Sequence, residues 1–208
     1  MLELFQRGGI MMYPLALSSL IALAFIIERA FALRRKKILV PEIVSVVQNF
    51  NTLEDLGLAK TVCLKHQGPL ANVLRISLEN HEMPHSELRE ILEDIGRQEV
   101  RVLEKGLIVL ETIAAIAPLM GLLGTVLGMI HVFAVIKEQG IGQTAALSGG
   151  ISEALLTTVA GLFIAIPVLI AYYYFNQKSE SLILDIENYT NTLITKITTL
   201  KRNQNVGS

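Results

Sequence analysis

Three windows of this chain, Gly8 to Ile27, Thr112 to Ile136 and Ala154 to Gln177, are nearly free of charge, and each holds about 20 residues or more. Rising 1.5 Å per residue, a helix of that length reaches roughly 30 Å, the thickness of a bilayer's hydrocarbon core. With 51% hydrophobic residues and a mean hydropathy of +0.50, the chain is more apolar than a soluble domain, yet its 18% charged residues are too many for a chain wholly in lipid. The expected fold class is an all-α integral membrane protein: three transmembrane helices with long helical extensions outside the membrane.

Lysine and arginine set the expected orientation. Arg34-Arg35-Lys36-Lys37 follows the first window, whereas only Arg7 precedes it. Lys137 is the only lysine or arginine between the second and third windows, beside Glu138 and Glu153, and Lys178, Lys196, Lys201 and Arg202 follow the third. These charges divide the chain into an outer N-terminus with the first span (1–33), a cytoplasmic helical domain (34–105) and a second span (106–137). An outer loop (138–147), a third span (148–177) and a cytoplasmic C-terminal helix and tail (178–208) complete the expected topology. A cleavable signal peptide would carry its positive charge before the apolar stretch, the reverse of what stands here. The single Cys63 excludes an internal disulfide and suits a reducing compartment. A net charge of −1 gives no reason to expect a nucleic-acid partner.

The cytoplasmic section reads as helices. Pro41 can open one, Asn51-Thr52 offers a cap before Leu53 to His66, and Gly68-Pro69 makes a break. Ser86 is a candidate N-cap for a helix carrying Leu88, Ile91, Leu92, Ile95, Val102 and Leu103 at helical spacing. With only Gly96 and Gly106 as weak interruptions, that helix is expected to run unbroken from Glu87 to Lys137. The first span, Leu15 to Ile27, is large and aliphatic, as a lipid-facing surface should be. After Lys178, the residues Leu182, Ile186, Tyr189, Leu193 and Ile197 make a stripe on a second extension, and 203–208 is expected to be disordered.

Glycine in a helix interior costs about 1 kcal/mol relative to alanine, so its abundance in the second span needs a reason. Gly121, Thr125 and Gly128 recur at i, i+4 and i+7, and Gly124 lies among them; Ala154, Thr158, Gly161 and Ala165 repeat the device in the third span. Two small faces, each centred on a hydroxyl, suit close helix packing. Such hydroxyls either bond their own helix's carbonyls and do no more, or line a polar path. Glu153, at the expected start of the third span and about a turn before Thr158, is either an interfacial carboxylate favouring the helix N-terminus or a functional group. Glu111 and His131 are expected at opposite mouths of the second span. Pro118 and Pro167 each free a carbonyl four residues earlier, as kinks or as ion ligands. No nucleophile with a positioned base, no metal-ligand spacing and no phosphate loop occurs, so neither catalysis nor a cofactor or metal is expected.

The run Ala117-Pro118-Leu119-Met120-Gly121-Leu122-Leu123-Gly124-Thr125-Val126-Leu127-Gly128 resembles the APxxGLxGTVxG signature of the MotA/TolQ/ExbB proton-channel family, in its ExbB/TolQ branch. Glu153-Ala154-Leu155-Leu156-Thr157-Thr158-Val159-Ala160-Gly161-Leu162, followed by Ile166-Pro167, resembles the EALxxTxxGLxxAIP signature of the same branch. Tyr13-Pro14-Leu15 through Glu28-Arg29 matches as well, so the resemblance covers nearly the whole chain. It implies a bacterial inner membrane with the N-terminus and outer loop periplasmic, and a homopentamer around the single helices of a dimeric ExbD- or TolR-like partner, which supplies the proton-accepting aspartate. It also implies that the complex works on a TonB- or TolA-like protein to energise outer-membrane transport. Thr125, Thr158 and Glu153 are then the proton-path residues, while Gly121, Gly124, Gly128, Ala154, Gly161, Pro118 and Pro167 pack around the lumen. Two alternatives stay open: a TolQ-like subunit of an envelope-maintenance system, and a non-conducting membrane scaffold. A flagellar-type stator is disfavoured, because such chains resemble four-span proteins with their cytoplasmic section between spans two and three.

Overall fold

In a computed structural model that describes residues 8–139 and 144–206, every regular element is an α-helix. In chain order these are α1 (Met12–Ala32), α2 (Arg35–Ile38), α3 (Pro41–Gln48), α4 (Asp55–Lys65), α5 (Pro69–Glu79), α6 (His85–Glu104), α7 (Leu107–Gln139) and α8 (Thr144–Val206). They form two compact units, one of Met1–Arg29 with Gly106–Tyr174 and one of Ala30–Lys105 with Phe175–Ser208. Three helical stretches are long and apolar enough to cross a membrane: Met12–Ala32, Leu107–Lys137 and Ser148–Asn203. The chain is an all-α membrane protein.

The apolar unit holds residues 12–29 of the first stretch, all of the second, and the third as far as Tyr174. Most of α1 is exposed, including Leu17, Leu20, Leu23 and Ile27, as a lipid-facing helix should be. Leu15 and Ala22, both 1% exposed, and Arg29 are the buried exceptions. Leu15 joins Ala117 of α7 and Ala165 of α8 in a small buried cluster, with Met12, Met120, Ala160 and Ile164 packed against it. At the other end of α1, Glu28 holds the buried Arg29 guanidinium through both carboxylate oxygens.

The unbroken helix expected from Glu87 to Lys137 does not occur. α6 ends at Glu104 and α7 starts at Leu107, and Gly106 between them has φ +86°. Residues with a side chain rarely adopt that conformation. A Cβ there would also lie 3.0 Å from Cδ1 of Phe25 and 3.5 Å from Nε of Arg29. Propensity ranks glycine a weak helix breaker; the positive φ makes this one a full stop.

The polar unit is built from short helices and the last part of α8. Pro41 opens α3 as expected, and Ile43, Val47 and Phe50 are each no more than 2% exposed. Capping differs at two places. The helix expected from Leu53 begins instead at Asp55, whose Oδ2 accepts from the backbone N–H of Asn51 at 3.0 Å and of Thr52 at 2.9 Å. Ser86 is not a cap, because α6 begins one residue earlier, directly after Pro84. Among the stripe residues of α8, Leu182, Ile186, Leu193 and Ile197 are buried and Tyr189 is half-buried. The disorder expected for 203–208 is absent over 203–206, which stay helical; once a helix is nucleated, each added residue brings its own backbone bond. Gly207 and Ser208 lie outside the described residues. Burial pushes the Cys63 thiol up to about 11, so it stays protonated at neutral pH.

The two backbone bonds from Asn51 and Thr52 hold the Asp55 carboxyl below its ordinary value of 3.8. A carboxylate with a lowered pKa contributes stability in full above its ordinary pKa and loses it as pH falls through the lowered one. Hydrogen exchange at the start of α4 is therefore expected to quicken only in acid, and Asp55→Ala should produce the quickened exchange at neutral pH. Equal neutral-pH protection in the variant would remove this cap from the fold.

Lysines of α8 close the ends of two short helices. Lys196 Nζ donates to the carbonyls of Val47 at 3.1 Å and Gln48 at 2.6 Å, the last residues of α3. Lys201 Nζ donates to the His81 carbonyl at 2.7 Å, just past α5. A cation at a helix C-terminus is worth about 0.3–1 kcal/mol. Lys196→Met is expected to lower the protection of the 43–49 amides by about that amount, with α5 unchanged. An effect spread evenly over the whole polar unit would contradict the local capping role.

Candidate functional site

The glycines of α7 and the small residues of α8 meet along an antiparallel seam. A Cβ on Gly161 would lie 2.6 Å from the Ala117 carbonyl oxygen and 3.2 Å from Cα of Gly121. A Cβ on Gly121 would lie 2.8 Å from the Thr157 carbonyl oxygen and 3.0 Å from Cα of Thr158. Gly124 sits against the Thr157 side chain, Gly128 against Ala154, and Val132 over Gly150. The backbones approach so closely that the obstacles at Gly121 and Gly161 are main-chain atoms, which cannot rotate away. Here small residues let dispersion and hydrogen bonding act between helices in an apolar medium.

The seam runs between the two threonines of α8. Thr157, not Thr158, is the fully buried one at 1% exposure, while Thr158 is half-buried on its flank. In α7 the residue in the middle of the seam is Gly124, and Thr125 lies half-buried to the side. Because Gly124 meets Thr157 and Gly128 meets Ala154, Thr125 is level with the stretch from Ala154 to Thr157.

The hydroxyls behave differently. Thr125 donates to Leu122 O at 2.6 Å, within its own helix. Thr112, Thr190, Thr192, Thr198 and Thr199 also bond carbonyls of their own helices. Thr158 instead donates across the seam to Gly121 O at 3.2 Å. Thr157 lies 2.8 Å from Ala154 O and 3.3 Å from the same Gly121 O. Thus two adjacent hydroxyls converge on one carbonyl, in a seam otherwise lined by glycine, alanine and valine. The absence of a Cβ on Gly121 is what leaves room for them.

Glu153 is not at a helix start. α8 begins at Thr144, so Glu153 lies more than two turns in, beyond the reach of that terminus's dipole. Its half-buried carboxylate lies instead against the backbone of Gly9, just before α1, where an added Cβ would collide with Oε1. Gly9 has φ +65° and accepts at its carbonyl from the Met12 N–H at 3.2 Å, so it forms the turn that starts α1. Glu153 and Thr158 are five residues apart on α8, about 7.5 Å along its axis. Glu111 and His131 are exposed on α7, apart from the seam. Both α7 and α8 continue as helices through Pro118 and Pro167. Among the described residues, no three His, Cys, Asp or Glu side chains cluster as metal ligands would.

Thr157 is the residue that the i, i+4, i+7 spacing passes over. Ala154, Thr157, Gly161 and Ala165 fit a 3–4–4 alternation as well as Ala154, Thr158, Gly161 and Ala165 fit a 4–3–4 one. Both sets average about 3.7 residues per step, close to the helical 3.6, so the period alone does not choose between them.

Residues 65–188 match the MotA/TolQ/ExbB proton channel family. That range contains every seam residue. A Synechocystis protein named biopolymer transport protein ExbB-like 1 is 36% identical over 178 residues, covering 83% of this chain and 69% of that protein. An ExbB homolog of Methanothermobacter thermautotrophicus is 28% identical over 195 residues, 89% of this chain and 66% of its own length. The biopolymer transport protein ExbB of Neisseria gonorrhoeae is 41% identical over 90 residues, 43% of this chain and 41% of that protein. The chain thus spans about two thirds of the first two relatives and less than half of the third.

Proposed function

Because this chain belongs to the MotA/TolQ/ExbB proton channel family, on its ExbB side, we propose that it is the channel-forming subunit of an inner-membrane motor driven by the proton motive force. The observation that carries this reading is the Thr158 hydroxyl, which leaves its own helix for the Gly121 carbonyl and stays half-buried beside a seam of glycines. Five copies enclose a lumen, with the N-terminus periplasmic and the C-terminus cytoplasmic, the orientation that the lysines and arginines around the three spans favour. Large apolar side chains such as Leu119, Phe133, Phe163 and Ile170 remain exposed on α7 and α8, and in the pentamer they meet lipid or neighbouring copies.

Protons enter past Glu153 and then pass Thr125 and Thr158. Among the described residues of the spans no carboxylate lies deeper along this line until Glu111, so the chain offers hydroxyls at mid-membrane and no proton acceptor there. The acceptor is an aspartate on the single membrane helix of an ExbD- or TolR-like dimer held in the lumen. One charge crossing 100 mV releases about 2.3 kcal/mol, so a few protons can drive a sizeable rearrangement of partner against pentamer. A TonB-like protein then carries the work to outer-membrane transport.

The test is reconstitution. The chain is purified with an ExbD- or TolR-like single-span protein and placed in liposomes containing a pH-sensitive dye, and a potassium-diffusion potential is applied. Proton entry that disappears when the partner's intramembrane aspartate is changed to asparagine supports the reading. Tight liposomes with the assembled complex present would leave a scaffold, and a TolA-like protein in place of TonB would redirect the pathway.

A further inference from the structure

We propose that Thr157 is a positioning residue for the Thr158 hydroxyl, taking over the Gly121 carbonyl whenever Thr158 turns toward the path. The proposal rests on the lumen reading of Thr158 given above, and it concerns a residue that no path assignment includes. Thr157 is 1% exposed and out of reach of water, so it cannot itself relay a proton. What it has is a choice of acceptors. Its Oγ1 lies 2.8 Å from Ala154 O and 3.3 Å from Gly121 O, and a hydroxyl carries a single proton to give. Turning the O–H bond moves that proton from one acceptor to the other without moving a heavy atom.

Thr158 is arranged in the complementary way. Its Oγ1 donates to Gly121 O at 3.2 Å, and its half-buried position gives it an exit from the seam. To hydrogen-bond a water on the path it must let that carbonyl go. A buried carbonyl in an apolar seam that loses a donor raises the energy of the released state. Thr157 offsets that loss by swinging its proton from Ala154 O onto Gly121 O, leaving Ala154 O with the backbone bond of its own helix. One donor replaces another, each proton stays on its own oxygen and no covalent bond changes. Gly124 holds the device in place: a Cβ there would come within 2.5 Å of Cβ of Thr157, so only glycine lets the side chain lie this deep.

The experiment compares Thr157→Val with Thr157→Ser in the reconstituted complex with its single-span partner, reading dye-reported proton entry and the amount of assembled complex. Valine keeps the branched shape and removes the hydroxyl; serine keeps the hydroxyl and removes the methyl. Expected are an approximately tenfold slower entry for valine at unchanged assembly, and entry within twofold of the unaltered chain for serine. Should the valine variant fail to assemble, Thr157→Ala, which fits wherever threonine fits, takes its place in the comparison. Unchanged entry in the variant lacking the hydroxyl overturns the proposal, as does a serine variant equally slow, which would assign Thr157 to packing alone. If Thr158→Val stops entry while Thr157→Val does not, only this proposal falls. If neither slows it, the lumen reading falls with it.

Discussion

Thr158→Val is expected to stop potential-driven proton entry, reducing it more than tenfold toward the lipid background, while the complex assembles in normal amount. The two halves of that expectation have separate physical grounds. Valine matches threonine in shape, so the seam around Gly121 keeps its packing. The hydrogen bond removed is long, 3.2 Å, and interhelical bonds of this kind in membranes average about 0.6 kcal/mol, too little to dissolve an assembly. A relay is different in kind: without a group that can accept and donate at once, a water chain is interrupted, and a barrier higher by about 1.4 kcal/mol already slows transfer tenfold. Dye-loaded liposomes and size-exclusion chromatography of the same preparation read both halves. Unaltered entry would place the path elsewhere.

Gly161→Ala is expected to destabilise the membrane unit by about 1–3 kcal/mol, the usual penalty for overpacking, and to weaken proton entry with it. The added methyl would lie 2.6 Å from the Ala117 carbonyl oxygen and 3.2 Å from Cα of Gly121, so relief requires the two backbones to separate. That separation also lengthens the Thr158–Gly121 bond, three residues away along α8. Gly149 provides the control on the same helix, since an added Cβ there meets nothing within 4 Å. Gly149→Ala should be neutral or stabilising by up to about 1 kcal/mol through helix propensity alone. Thermal unfolding of the detergent-solubilised protein separates them. Equal melting temperatures for the two variants would mean that the seam is looser than described.

Much of this was legible in the sequence because the membrane simplifies the code. Three uncharged windows could only be spans, and their small residues could only be packing faces. What was not legible depended on half a residue of helical phase. Thr157 and Thr158 differ by 100° around α8, and the spacing of Ala154, Gly161 and Ala165 leaves the seam between them. Only the partner helix, with Gly124 opposite Thr157, decides which hydroxyl is sealed in and which keeps an exit. Glu153 was misplaced for another reason. Its position on a helix start was inferred from hydropathy, but α8 begins at Thr144, and the group that Glu153 meets belongs to the turn before α1, far off in sequence. The stop at Gly106 was hidden because propensity scales average over φ, whereas this glycine adopts a value that other residues avoid.

The polar unit is discontinuous: Ala30–Lys105 is completed by Phe175–Ser208, and the stretch between them belongs to the apolar unit. During synthesis, the segment that supplies Lys196 and Lys201 emerges only after both later spans have been made. Helices α3 and α5 must therefore wait, with their C-terminal carbonyls uncapped, while α7 and the first half of α8 enter the bilayer. Closing so long a loop adds little in chain entropy, since each doubling of its length costs about 0.6 kcal/mol. The consequence is one of timing. A chain whose later spans fail to insert cannot finish its polar unit, which makes correct membrane insertion a condition that this unit's folding reports.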